Sequence, residues 1–397
     1  MGYRQAHQKL WPSLPATRAS AKNPTKIIHD FGSSWNHSTI FLLYLLLMAP
    51  TAVPPLQYET TIPPKITRIV GGTDKPSVDS SPDVITPLRN ALASESTPLA
   101  VRFRALFSLK HHASLRPPDS TTIPAIQAIA AAFSSPSALL KHELAYCLGQ
   151  SGNHAAVPFL RDVLSNKQED SMCRHEAAEA LGALDDITSL DFLQKFWQDE
   201  KEPAVVRETC EIAIRRIEWS HSEHRKTERL KDSDFASVDP APPVPQETQP
   251  SVAELQAKLL DTRLSLFDRY RAMFAIRDQA SPPDLPTAIP AVHALASGFT
   301  DPSALFRHEV AFVFGQLSHP ASIPCLVKVL GNLKEESMVR HEAAEALGSL
   351  GEEEGVEEML RKFLNDEAQV VRESVVVALD MAEYERSGQS EYATLPE

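Results

Sequence analysis

Residues Glu169 to Leu184 read EDSMCRHEAAEALGAL and residues Glu335 to Leu350 read EESMVRHEAAEALGSL, identical at 13 of 16 positions. A match of that length 166 residues apart is an internal duplication, and a repeat decides the fold before any motif is read. The correspondence spreads outward from this stretch. PSALLKHELAYCLGQ from Pro136 parallels PSALFRHEVAFVFGQ from Pro302, RFRALFSL from Arg102 parallels RYRAMFAI from Arg269, and VVRETCEIAI from Val205 parallels VVRESVVVAL from Val370. Each half of the chain therefore carries four related units in the same order.

Within a unit the pattern predicts two helices. The first starts at a proline, as at Ile123-Pro124, Val157-Pro158, Ile289-Pro290 and Ile323-Pro324, where the missing N–H needs no partner. The second contains the duplicated stretch and ends at Gly149, Gly182, Gly315 or Gly348, each expected to form a left-handed C-cap. Ser135, Asp301, Ser171 and Ser337 are the expected N-caps. A period near 33 residues also suits ankyrin and tetratricopeptide arrays, but the Thr-Pro-Leu-His and Trp-Leu-Gly-Tyr patterns of those repeats are absent. HEAT-like helix pairs fit best, and such pairs stack into a solenoid with equivalent second helices along one concave face. The expected fold is all-α, with two four-repeat HEAT-like solenoid halves, residues 84–218 and 252–385, facing each other.

Between the halves, residues 219–251 pass through SEHRKTERLKDSD into the Pro-rich DPAPPVPQETQP, which reads as a flexible linker too poor in apolar residues to fold. Residues 386–397 read as a disordered tail. Residues 1–80 are rich in Pro, Ser and Thr and lack the repeat, so they read as a disordered extension or as upstream sequence wrongly joined to the coding region. Their apolar run Ile40–Ala49 is about half a membrane span. Arg68-Ile69-Val70-Gly71-Gly72 imitates the activation site of trypsin-like proteases, but no Gly-Asp-Ser-Gly loop follows.

Composition narrows the function. Aromatic residues make up 7% of the 397 and the formal net charge is −13, a balance that argues against nucleic acid and for a basic or neutral partner. No membrane association is expected. The four cysteines, Cys147, Cys173, Cys210 and Cys325, have no CxxC or zinc-knuckle spacing and read as thiols in a reducing compartment. A cytoplasmic location, extending to the nucleus, is therefore expected. No phosphate loop, dinucleotide fingerprint or nucleophile elbow is present.

What remains is four His-Glu steps, His142-Glu143, His175-Glu176, His308-Glu309 and His341-Glu342, spaced by 33 residues within each half. The outer units replace the step, with Arg102-Phe103 and Glu208-Thr209 in the first half and Glu373-Ser374 at the end of the second. A requirement of the fold would recur in every unit. Confinement to the two central units points to chemistry. Neighbouring helices lie roughly 8–10 Å apart, so side chains from two of them can share an ion. Four imidazoles and four carboxylates suit two ions with open coordination positions. The mixed set without thiolate favours non-haem iron or manganese, with zinc still open. No HExxH zinc-protease motif forms, because Tyr146, Glu179, Phe312 and Glu345 stand four residues after the histidines. Glu179 and Glu345 share a helix face with their own His, as partners of it or as solvated acids. A HEAT-like scaffold, a relative of the phycobilisome lyases, an O2 carrier and a metallohydrolase are the competing readings of these residues.

The twice-occurring SMxRHEAAEALG, with the two other His-Glu steps in register, resembles the deoxyhypusine hydroxylase family of HEAT-repeat di-iron monooxygenases over residues 84–385. The resemblance implies a monomeric enzyme holding two iron ions (Fe2+) between its halves. It implies that O2 activated there, with electrons from an external reductant, hydroxylates the deoxyhypusine side chain of a eukaryotic translation factor. It further implies His142, His175 and Glu176 as ligands from one half and His308, His341 and Glu342 from the other. Glu143 and Glu309 belong to the same motif and are implied either as ligands or as the carboxylates that hold the substrate amine. The long N-terminal segment is a departure from the family.

Overall fold

The computed structural model describes residues 83–231, 233–245, 248 and 250–387. The extension at residues 1–80 and the last ten residues of the expected tail lie outside them. Among the described residues every regular element is helical. The first half comprises α1 (Ile85–Ala93), α2 (Leu99–Ala113), α3 (Thr122–Ala131), α4 (Ala138–Gln150), α5 (Val157–Ser165), α6 (Ser171–Ala183), α7 (Leu190–Gln198) and α8 (Ala204–Ser220). After the short α9 (Glu223–Thr227), the second half repeats the series: α10 (Val252–Leu260), α11 (Leu266–Ala280), α12 (Ala288–Ala296), α13 (Ala304–Leu317), α14 (Ile323–Leu330), α15 (Ser337–Gly348), α16 (Val356–Arg361) and α17 (Gln369–Ser387). These are four helix pairs in each half. The even-numbered helices of the first half and the odd-numbered ones of the second form an inner row, each packed on the next.

The two rows close on each other at both ends. At one seam the N-cap hydroxyl of α13, Ser303, donates to Glu208 on α8 at 2.7 Å, and at the other Ser137, the N-cap of α4, donates to Glu373 on α17 at 2.7 Å. Arg104 on α2 adds an ion pair to Asp380 on α17 at 2.6 Å. Each half has its own core, built from leucine, alanine and valine of the inner row against the outer helices.

The glycines of the repeated stretch differ from their expected role. Gly149, Gly182, Gly315 and Gly348 lie inside or at the last residue of their helices, and the only glycines of the described residues with positive φ are Gly152 and Gly355. What excludes a side chain is the next helix. A Cβ would stand 2.7 Å from Ala180 at Gly149, 3.1 Å from Ala213 at Gly182 and 2.8 Å from Ala378 at Gly348, with a looser 3.5 Å from Ala346 at Gly315. Successive inner helices meet there, glycine on alanine.

The expected N-caps shift as well. Ser137 and Ser303 cap α4 and α13, and Asp170 caps α6 by accepting from the Met172 amide at 2.8 Å. Ser135 and Asp301 instead receive the buried guanidinium groups of Arg102 and Arg269. These arginines belong to a ladder. Arg102, Arg174, Arg207, Arg269 and Arg340 each donate from Nε to the carbonyl ten residues earlier, at the end of the preceding helix. Glu95, Glu202, Asp301 and Asp366 neutralise Arg102, Arg174, Arg269 and Arg340, as burial of a charge requires.

That ladder corrects the register of the first unit of each half and leaves Glu208-Thr209 and Glu373-Ser374 where the sequence places them. Arg102 corresponds to Arg174, so the pair equivalent to His-Glu is Phe103-Arg104, and in the second half Tyr270-Arg271. The first unit of each half thus replaces the step with a buried aromatic and an ion-paired arginine.

The linker between the halves is packed rather than loose over much of its described length. Phe235 is 7% exposed and Ala241 fully covered. The side-chain amide of Gln150 donates to the Val238 carbonyl at 3.2 Å and accepts from the Val238 amide at 2.8 Å, while Gln316 donates to Ser237 at 2.7 Å. Asp239 pairs with the buried Arg277 at 2.9 Å. The composition argument fails because the strap needs no core of its own. It uses partners that the two halves present.

Candidate metal centre

Each candidate histidine is the fifth residue of its helix: His142 on α4, His175 on α6, His308 on α13 and His341 on α15. Identical placement on four inner helices, two from each half, carries the rings to one point. Within the halves the ring centroids are 5.4 Å apart for His142 and His175 and 5.3 Å for His308 and His341. Across the halves they are equally close, at 5.7 Å for His142 and His308, 5.3 Å for His142 and His341, and 5.5 Å for His175 and His308. All four are at most 5% exposed.

Two carboxylates join them in matching positions. Glu176 Oε2 is 3.2 Å from His142 Nε2, and Glu342 Oε2 is 3.3 Å from His308 Nε2. Ligand atoms within 4.8 Å of one another make three groups: His142, His175 and His308; His308, His341 and Glu342; and His175, Glu176 and Glu179. Two consequences follow. The first group draws on both halves, so the expected division of ligands by half is not the only one the geometry allows. Glu179, expected from the sequence as a partner of its own histidine or as a solvated acid, joins a group directly. Its counterpart Glu345 takes the partner role, 3.4 Å from His341 Nδ1 and held by a 2.9 Å hydrogen bond from Ser374 on α17. The i,i+4 spacing from the histidine was the signal for both.

Glu143 and Glu309 fall outside these groups. Glu143 Oε1 lies 3.9 Å from the Cys147 thiol, and Glu309 Oε1 is buried without a hydrogen-bond partner. One turn deeper, Tyr146 and Phe312 meet edge to face across the halves with centroids 6.1 Å apart. In the sequence these two positions show only that a zinc-protease histidine is absent.

The electrostatics are those of a site built for cations. Burial raises the carboxyl pKa of Glu143, Glu309 and Glu179 well above the ordinary value and pushes Glu176 up to about 8, with neighbouring carboxylates adding to the effect. Burial lowers the imidazole pKa of His142, and that of His175 and His341 further, the neighbouring histidines contributing to the latter two. Both ring nitrogens of His175, Nδ1 of His142 and His308, and Nε2 of His341 are buried without a hydrogen-bond partner, and Nε2 of His142 and His308 faces only a carboxylate oxygen of Glu176 or Glu342, without hydrogen-bond geometry. Buried polar atoms are rarely left so, and each orphan costs about 1–3 kcal/mol. A cation answers the whole pattern, since neutral imidazoles and ionised carboxylates are what a divalent metal binds. The donors present fit a metal, and no cysteine belongs to the groups.

Comparison with known proteins agrees with this architecture. A HEAT-repeat family model matches residues 125–215 and 270–380. A deoxyhypusine hydroxylase of Phaeosphaeria nodorum is 70% identical over 314 residues, covering 79% of this chain and 95% of that protein. One from Aspergillus fumigatus is 64% identical over 327 residues, covering 81% and 98%. The solved structure of human deoxyhypusine hydroxylase in complex with glycerol matches with a TM-score of 0.66 and 42% identity, over 76% of this chain and 96% of the human one. Nearly the full length of each relative is represented here, at identities far above what a shared fold alone produces, and the chain belongs to the deoxyhypusine hydroxylase family.

Proposed function

We infer that this protein hydroxylates the deoxyhypusine side chain of a protein substrate, a eukaryotic translation factor. The observation that carries the reading is the convergence of four buried histidines from two duplicated halves on one cluster, in a chain of this family. Two iron ions, held by His142, His175 and Glu176 and by His308, His341 and Glu342, would supply the activation of O2. One oxygen atom enters a C–H bond of the substrate and the other leaves as water, with two electrons from an external reductant and two protons. Glu179 is close enough to His175 and Glu176 to replace a ligand or to hold one in place.

The remaining residues of this chain would bind and orient the substrate. Glu143 and Glu309 are buried carboxylates next to the cluster, and a cationic amine is what such groups accept when desolvated. Tyr146 and Phe312 form an apolar wall behind them. One chain contributes both half-sites, which favours a monomer. Among the described residues no helix is long and apolar enough to cross a membrane. The free cysteines fit a reducing compartment such as the cytoplasm or nucleus.

The test is iron content and product mass. Purified protein reconstituted with ferrous iron is expected to hold about two irons per chain and to add one oxygen atom to deoxyhypusine-bearing protein when given a reductant. His175→Ala is expected to lose iron and at least about a hundredfold in turnover. Unchanged iron content in that variant, or no added oxygen with the unaltered chain, would defeat the reading.

A further inference from the structure

Gly149 meets Ala180 and Gly315 meets Ala346 near the ends of their helices, Tyr146 meets Phe312 one turn beyond the histidines, and Gln150 and Gln316 bond to adjacent residues, so α4, α6, α13 and α15 run in the same sense and the site has one mouth at their N-terminal ends and another at their C-terminal ends. The second is closed. Gln150 and Gln316, corresponding residues at the ends of α4 and α13, both grip the strap at Val238 and Ser237. Arg216 and Arg277 bind Asp239, and Phe235 is buried beneath the Arg277 guanidinium, 4.4 Å from it. Below the strap, the glycine-on-alanine contacts draw neighbouring inner helices together, and the Tyr146–Phe312 pair lies between strap and cluster.

The first mouth has the opposite character. His142 is five residues from Ser137 and eight from Gln150, which at 1.5 Å per residue puts the ring about 7.5 Å from this rim and about 12 Å from the strap. The rim carries acidic residues at corresponding positions of the two halves. Asp170 and Glu336 stand exposed just before α6 and α15. Glu208 and Glu373 occupy, in the last unit of each half, the position that histidine holds in the central units, and each is half-buried. A cavity of about 560 Å3 opens beside Glu373 at the seam, lined by Glu95, Ser137, Gln369 and Arg372 among others, and does not reach the histidines.

We propose that the ring is open to macromolecules on one side only, and that the substrate protein docks on the N-terminal mouth through a basic segment, sending its modified side chain about one and a half turns inward to the cluster. This rests on the functional reading above. The strap shuts the alternative route, and the paired acids of the rim supply charge complementary to a segment whose own side chain is an amine. Rim charges of this kind act on encounter and are weakened by salt.

Glu336 and Glu353 separate the two mouths on a single element. Glu336 precedes α15 and makes no side-chain cap bond, and Glu353 lies in the turn after it, exposed near the strap end. With iron-loaded full-length protein and a deoxyhypusine-bearing protein as substrate, Glu336→Lys is expected to raise KM about two- to fivefold, more at low than at high ionic strength, the loss falling on KM rather than kcat. Glu353→Lys is expected to leave KM as it is. A KM moved by Glu353→Lys alone, by both equally or by neither overturns the docking face while turnover by the unaltered chain still upholds the functional reading. No turnover by the unaltered chain overturns both. Should Glu336→Lys fail to fold, Glu336→Gln in the same salt series gives the same comparison with a smaller shift.

Discussion

Histidine at the fifth position of an inner helix is a costly choice that only the central units make. At the equivalent position the first units bury Phe103 and Tyr270, residues that pack without polar debt, whereas His175 buries two nitrogens with no partner. In the metal-free protein His175→Leu removes that desolvation cost. It is expected to raise metal-free stability by about 1 kcal/mol while abolishing the stabilisation that added iron gives the unaltered chain. Thermal unfolding with and without a chelator measures both, and a variant less stable than its parent in chelator would show that the imidazole contributes packing alone. The four histidines and the glutamates that follow them are legible as a repeated dipeptide, whereas Glu179 and Glu345 are legible only by their i,i+4 spacing from a histidine. Which of the eight groups meet is not legible, because Glu143 and Glu309 differ from Glu176 and Glu342 in how neighbouring helices place them, although each follows a histidine.

At the scale of the element, the same glycines that look like helix stops are the points at which inner helices touch. Gly149 and Gly348 leave no room for a Cβ against Ala180 and Ala378, while Gly315 sits at ordinary contact distance from Ala346. Gly149→Ala is therefore expected to destabilise the protein by about 1–3 kcal/mol through overpacking, and Gly315→Ala to be nearly neutral or slightly stabilising, because alanine is the better helix former. Denaturant midpoints of the two variants make the comparison. Equal losses would mean that the approach of the next helix does not set the cost of a side chain at these positions. The Arg ladder carries a related lesson. Arg102 stands one residue ahead of the His position although its spacing matches the His itself, and the carbonyl it binds ten residues back sets the true register.

The whole molecule depends on contacts between residues far apart in the chain. Seam bonds join Ser137 to Glu373 and Ser303 to Glu208, and the strap ties both halves through Gln150, Gln316 and Asp239. Arg277 is 0% exposed and relies on Asp239 and Asp278 for its charge. Asp239→Asn leaves that guanidinium with one carboxylate and is expected to cost about 2–4 kcal/mol, read as a lower thermal midpoint. An unchanged midpoint would mean that the strap is dispensable to the folded ring.

Sequence alone determined the repeat, its helical character, the duplication into two halves and the eight groups of the His-Glu steps. All of these are local properties of spacing and residue type, and they survive without knowledge of any partner. Tertiary structure decided the rest. It set the glycines against the next helix, moved the N-caps by two residues at α4 and α13, gave the Pro-rich segment surfaces to pack on, and selected Glu179 to join the cluster. Each of these depends on what a distant part of the chain presents across the contact, and a linear pattern has no term for that. Two solenoids with identical spacing could face each other in other registers. The seams and the strap select the one in which four histidines share a centre.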